Sequence, residues 1–355
     1  MTLRSALPSS MMAPLVALTS LLVPAKHAPP KLVEKQRLSS PKSSCNAPFP
    51  PRFTAKLHPR EAEVSAEVNG YFLQHWPFPD ERERKKFVKA GFPYVTCYYF
   101  PAALDDRIAL ACRLLTLLFL VDDYLESLSL EEGSAYNERL ILISKGSVKP
   151  DRDIPVEWIT HDLWEDMREC DKMLAEEVLE PTFTFMRAQT DACRLDIKGL
   201  GNYLQYRERD VGKALLSALM RFSMNLHLTA DELASVNDVE MNCSKHISVV
   251  NDIYSWEKEV LAAQTGHREG AVLCSSVLVL SQETSIDVEA SKRVLWSMCR
   301  EWELVHEKLV AKRIASTSLP CKEDLKFFLK GLEYQMSGNE AWSEKTPRYH
   351  QPTAS

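Results

Sequence analysis

The 355-residue sequence predicts an all-α fold. Three observations carry this. From residue 58 onward, apolar residues recur at spacings of three and four in one segment after another, the period of a helix with one buried face. Alternating apolar and polar runs, which a half-buried strand requires, are hard to find. Linkers between the periodic segments carry Pro or Gly, as at Gly146-Ser147-Val148-Lys149-Pro150 and Ser318-Leu319-Pro320.

In chain order, residues 1–57 come first and differ from everything after them. They hold eight Lys or Arg, many Ser and Pro, and one acidic residue, Glu34. That composition predicts a flexible, disordered extension. Met11 to Ala25 imitates the apolar core of a signal peptide, yet Pro14 and Pro24 interrupt it and no clear small-x-small cleavage site follows. The periodic pattern then predicts helices near 61–76, 81–90, 104–127, 135–142, 157–177, 182–193, 195–209, 212–227, 231–260, 268–281, 287–313 and 322–336. Residues 58–350 are expected to form a single domain, followed by a tail at 351–355. No internal repeat is found. No segment reaches the roughly 20 apolar residues needed to span a bilayer, so no stable membrane insertion is expected.

Composition narrows the function. A formal charge of −6 gives no basic footprint for nucleic acid. No glycine-rich phosphate loop is present, so any phosphate would be held by metals and basic side chains. The nine Cys are scattered, odd in number and lack metal-site spacing. They read as reduced core residues of a cytoplasmic protein. The nine His form no HExxH-type pair.

Two clusters carry chemistry. Asp122-Asp123-Tyr124-Leu125-Glu126 ends a segment almost wholly apolar from Ile108 to Val121. On a helix Asp122 and Glu126 lie roughly 40° apart on one face, while Asp123 points to the side. Asn251, Ser255 and Glu259 are spaced four apart in the second cluster, drifting roughly 80° over about 12 Å of axis. Side chains lean toward the helix N-terminus, and the longest, Glu259, reaches back furthest. All the donors are hard oxygens, which selects Mg²⁺ or Mn²⁺ over Zn²⁺. Mg²⁺ completes its octahedron with water and substrate phosphate, so the pair of clusters points to a diphosphate. Taken alone, an acidic run at a helix end is usually solvated surface. Its combination with the nine-residue second cluster, both continuing apolar helices, is far more specific.

With these motifs the sequence resembles the class I sesquiterpene cyclases, the fungal type in particular. The resemblance runs from about His58 to Tyr349 and includes CYYFPAALDDRIALACRLLTLLFLVDDYLE, EPTFTFMRAQTD, YRERDVGKALLSALMRFSM, SVVNDIYSWEKE, RVLWSMCREWE and GLEYQMSGNEAW. It implies a helical barrel around a deep apolar cavity and the substrate farnesyl diphosphate. It implies three Mg²⁺ ions, with Mn²⁺ as substitute, on Asp122, Asn251, Ser255 and Glu259, with Asp123 and Glu126 as supporting carboxylates. Arg207 would be the diphosphate sensor, Asp210 the linker and Val211 the effector of closure; without the resemblance, Arg207 reads as an ordinary helix-surface ion pair with Asp210 or Glu208. Lys258, Arg348 and Tyr349 match positions that bond diphosphate when the site closes. Tyr99, Phe119, Phe185 and Trp342 match the cavity aromatics, whose faces attract a carbocation without bonding to it. Phe119, three residues before Asp122, shares its face one turn deeper; the Tyr99 hydroxyl either points outward or holds water. The implied reaction passes through germacrene A and a bicyclic cation to aristolochene. A homodimer is compatible with the family.

Two rivals stay open. A chain-elongating prenyltransferase normally carries a second aspartate-rich motif where this chain has Asn/Ser/Glu. A non-catalytic isoprenoid-binding helical protein would not need every ligand of both motifs. On the same scaffold, a few cavity residues decide whether the product is aristolochene or another bicyclic sesquiterpene.

Overall fold

The computed structural model describes residues 49–317 and 319–350. The expected extension up to residue 48, with its apolar stretch Met11 to Ala25, and the tail 351–355 lie outside the described residues. Residues 49–57, placed in the extension by composition, pack as part of the domain. Phe53 is buried, the Arg52 amide donates to Glu303 at 2.9 Å, and Arg300 donates to the Phe49 carbonyl at 3.1 Å.

The described residues contain helices and no strand. Helix α1 (Glu61–His75) and α2 (Glu81–Ala90) match the periodic reading, and Asp80 caps α2 by accepting from the Glu83 amide. Helix α3 (Phe92–Tyr99) was not expected. Seven of its eight residues are buried, so it has no polar face to generate a period. Helix α4 (Ile108–Leu125) is the apolar helix ending in the first acidic cluster. Helix α5 (Leu130–Ser144) starts earlier than the predicted 135, at a Ser129/Glu132 capping box.

The expected helices 157–177 and 182–193 are corrected. One element, α6 (Pro155–Ala188), runs through Pro181, and its break is at Asp171 (φ −158°, ψ 98°), whose carboxylate receives the Leu174 amide. A 3-10 turn (Ala192–Leu195) leads to α7 (Leu200–Asp210), and Gly212 (φ 73°) separates α7 from α8 (Lys213–Met224). The predicted 231–260 helix divides into a short α9 (Ala230–Ala234) and α10 (Asn237–Thr265). Then follow α11 (Ser276–Thr284), α12 (Val288–Ile314) and α13 (Glu323–Lys345). Helix α13 runs nine residues beyond the predicted end at 336, because Ser337, Gly338 and Asn339 are buried helix rather than a turn.

Helix α10 packs on α12 and α13, α3 on α4 and α13, and α5 and α8 on α6. This surrounds the cavity with α4, α6, α7, α8, α10 and α13, and stations the two clusters at the last turns of α4 and in the second half of α10.

Candidate active site

A single cavity of about 190 Å³ gathers nearly every residue singled out from the sequence. Its apolar part is lined by Tyr99, Leu115, Leu118, Phe119, Phe185, Leu215, Leu216, Ile247 and Trp342. Phe119 stacks on Phe92 (4.5 Å between centroids, 10° between planes) and lies 6.2 Å from Trp342. The Trp342 indole donates to the Ala90 carbonyl at 3.2 Å, which fixes its plane. The Tyr99 hydroxyl neither points outward nor stands free: it donates to Asn339 Oδ1 at 2.9 Å, and Asn339 donates onward to the Ile247 carbonyl at 3.2 Å. Burial pushes the Tyr99 phenol pKa well up, so it stays protonated.

The polar end joins both clusters. Asp122 and Glu126 line the cavity, as does the Asn251, Ser255 and Glu259 stripe of α10. Asp123 is turned aside, as the helical angle predicts, and is met by a fork from Arg348 (2.9 and 2.5 Å) and by Lys258 at 3.6 Å. Lys258 also donates to Glu126 at 2.7 Å. Burial raises the Asp123 carboxyl, but the charges of Arg348 and Lys258 outweigh it and bring it down to about 2. Asp122 goes the other way: burial raises it, and among the described residues its one side-chain donor is Gln189, at 2.8 Å.

In the second cluster, Asn251 accepts from Arg207 at 2.9 Å and donates to the Tyr349 hydroxyl at 2.7 Å, while Ser255 donates to Glu259 at 2.5 Å. Burial, with the Asp252 charge adding, pushes the Glu259 carboxyl up to about 7. Arg207 is ion-paired with Asp210 and lies 3.3 Å from Asp252. Asp252 is itself fully buried, held by the Tyr203 hydroxyl (2.6 Å) and the Ser276 amide (2.9 Å). Val211 caps α7 at the Gly212 break, its amide donating to the Arg207 carbonyl at 2.7 Å.

The donor set suits a hard dication. Among the described residues no imidazole lines the cavity, and burial pushes the one thiol there, Cys274, up to about 12, leaving it protonated and a poor ligand. The remaining donors are amide, hydroxyl and carboxylate oxygens, the Mg²⁺ set. A carboxyl held near 7 by burial, as Glu259 is, gains most from an adjacent cation. The only group of three convergent His, Cys or acidic side chains among the described residues is elsewhere: His246, Glu303 and Glu340. The Arg300 guanidinium bonds both of those carboxylates, so the cluster is an internally neutralised ion network.

The sequence reading missed Gln189, Arg194 and Asn339, which lie outside the two clusters, and gave Asp252 no role. Only Asp252 had a signal, its place beside Asn251.

Residues 113–303 match the family described as terpene synthase family 2, C-terminal metal binding. The chain is 61% identical over 307 residues to an aristolochene synthase of Aspergillus terreus, covering 86% of this chain and 95% of the relative. It is 61% identical over 293 residues to a (+)-aristolochene synthase of Penicillium expansum, covering 82% and 88%. Among solved structures, the crystal structure of aristolochene synthase from Penicillium roqueforti superposes with a TM-score of 0.75 at 58% identity, covering 84% of this chain and 99% of the other.

Proposed function

This chain belongs to the terpene synthase family, in the group of the fungal aristolochene synthases, and on that premise we propose that it cyclises farnesyl diphosphate to aristolochene and diphosphate. The observation that carries the reading is the meeting of both clusters with Arg207, Lys258, Arg348 and Tyr349 at the polar end of one aromatic-walled cavity.

The residues that would hold the metal are Asp122 on α4 and Asn251, Ser255 and Glu259 on α10, with Asp123 and Glu126 behind them. Three Mg²⁺ ions, replaceable by Mn²⁺, would supply the neutralisation that makes diphosphate a leaving group. Arg207, Lys258, Arg348 and Tyr349 orient the diphosphate by donating to its oxygens. The allylic C–O bond breaks and its electron pair leaves with the diphosphate. Phe119, Phe185 and Trp342 offer ring faces to the cation, an attraction of about 2 kcal/mol or more when desolvated. The Tyr99 ring completes this wall, its hydroxyl anchored on Asn339. Attack by the distal double bond on the allylic carbon closes the ten-membered ring as a new cation, which loses a proton to the bound diphosphate to give germacrene A. Reprotonation, hydride and methyl shifts and a final proton loss complete the bicyclic product, with bound diphosphate the strongest base at hand. Asp210 and Val211, joined to Arg207 by an ion pair and a backbone bond, relay occupancy of the sensor to the α7–α8 break.

Buried, unpaired thiols at Cys97, Cys112, Cys243 and Cys299 support a reducing, cytoplasmic setting. Family likeness supports a homodimer, which light scattering checks. The test of function is gas chromatography with mass spectrometry on protein given farnesyl diphosphate, with Mg²⁺ and with chelator. A Mg²⁺-dependent hydrocarbon with the spectrum and retention of aristolochene is expected. A different sesquiterpene would overturn the product, and longer diphosphate esters or no turnover would overturn the cyclase reading.

A further inference from the structure

Four cationic side chains line the cavity: Arg194, Arg207, Lys258 and Arg348. Three of them are ion-paired, Arg207 with Asp210, Lys258 with Glu126 and Arg348 with Asp123. Arg194 is the exception. Among the described residues it forms no ion pair, and its guanidinium has one hydrogen bond, to the Gln189 backbone carbonyl. Its Nε is closed off from solvent without a partner.

A partly desolvated guanidinium with no direct ion pair and an unpartnered Nε gives up hydration that its one hydrogen bond returns only in part. The 3-10 turn Ala192–Leu195 that carries it is fixed by Asp191, which receives the Cys193 amide. The turn joins α6 to α7, and the carboxylates whose charge reaches Arg194 are Asp210 and Asp122. It therefore brings positive charge to the side of the mouth between the first cluster and the sensor helix. An anion entering there meets a planar fork that needs no prior ion pair to be broken.

We propose that Arg194 is a further ligand of the substrate diphosphate, donating to its oxygens alongside Arg207, Lys258 and Arg348. The inference rests on the cyclase reading above. Its structural rival is that Arg194 only fastens the Gln189 backbone, whose side chain donates to Asp122; Arg194 would then be a positioning residue for the metal.

Full-length wild type, Arg194→Leu and Arg194→Lys are titrated with inorganic diphosphate at saturating Mg²⁺ by calorimetry, and with Mg²⁺ in the turnover assay. Loss of charge-assisted hydrogen bonds predicts about 10- to 100-fold weaker diphosphate binding in Arg194→Leu. Part of that loss, the share owed to charge alone, is regained in Arg194→Lys, while the Mg²⁺ half-saturation and the unfolding midpoint stay at wild-type values. Diphosphate affinity within twofold of wild type in Arg194→Leu overturns the proposal. So does a loss matched by a rise in Mg²⁺ half-saturation, which assigns Arg194 to Asp122. If Arg194→Leu fails to fold, Arg194→Gln takes its place. Product analysis of the wild type is read separately: no sesquiterpene there, with diphosphate binding still dependent on Arg194, refutes the cyclase reading and leaves the anion ligand standing.

Discussion

Replacing Gly270 with alanine tests how the two walls of the cavity mouth are joined. Gly270 lies in the turn after α10, against the end of α4. A Cβ built there would stand 2.2 Å from the Leu125 carbonyl oxygen and 2.3 Å from that of Leu128. Ordinary contact begins at 3.4 Å, so backbone must part by about 1.2 Å, and no flexible side chain can yield instead. The same seam holds the His267 amide on the Glu126 carbonyl at 2.9 Å. Relaxation either moves the turn that aims Asp122 and Glu126 or breaks this bond. Overpacking of this kind costs about 1–3 kcal/mol, and a displacement of about 1 Å at a reacting centre costs about 100-fold in rate. The assays are kcat/KM for farnesyl diphosphate and thermal unfolding. Expected for Gly270→Ala is a fall of about 100-fold in kcat/KM with a drop of only a few degrees in the unfolding midpoint. Gly70→Ala is the control: an added Cβ there meets nothing within 4 Å in the middle of α1, so stability should rise by about 0.5–1 kcal/mol with unchanged turnover. Wild-type kcat/KM in Gly270→Ala would refute the seam as the determinant of cluster geometry.

Asn251→Leu removes the oxygen proposed as a metal ligand and the partner of Arg207 and Tyr349, and turnover should fall about 100-fold or more; normal Mg²⁺-dependent activity would sink the metal assignment. Phe119→Ala should still release diphosphate but divert products toward truncated cyclisation, seen by comparing diphosphate yield with the hydrocarbon profile; an unchanged profile would remove Phe119 from the wall. His306 is buried with both ring nitrogens unpartnered, and burial lowers its pKa from 6.5 to about 4. Because the folded pKa is depressed, its contribution is complete above about pH 6.5 and is lost as pH falls toward 4, a change of roughly 3 kcal/mol. As pH falls across this window, the unfolding free energy of wild type should drop by about that amount relative to His306→Leu; a pH-independent difference would show that His306 does not titrate there.

Much of the site was legible because the two clusters carry their geometry within single helices. Four-residue spacing in α10 suffices to put Asn251, Ser255 and Glu259 on one stripe, and an apolar helix ending in Asp122 must deliver that carboxylate to an apolar space. What was lost depends on tertiary approach. Gln189, at the end of α6, reaches Asp122 across 67 residues, and Asn339 reaches Tyr99 across 240; nothing local to either side chain announces its partner. Helix α3 was invisible because burial on all sides erases periodicity. Pro181, just before the predicted helix start at 182, sits within α6, while the break at Asp171 comes where an ordinary aspartate caps the next turn.

The pairing of Asp123 and Glu126 with Arg348 and Lys258 has a consequence for how the protein commits itself. In the free molecule, the groups proposed for metal and those proposed for diphosphate satisfy one another. A dication arriving alone would strand two cations; a diphosphate arriving alone would strand two carboxylates. When both arrive, each half of the old pairing finds a new partner. Linkage then requires that each ligand raise the affinity for the other by the same factor. On the proposed roles of these groups, the mouth would respond to a coincidence of two inputs rather than to the abundance of either, and a water-sensitive cation would be born only after both are seated.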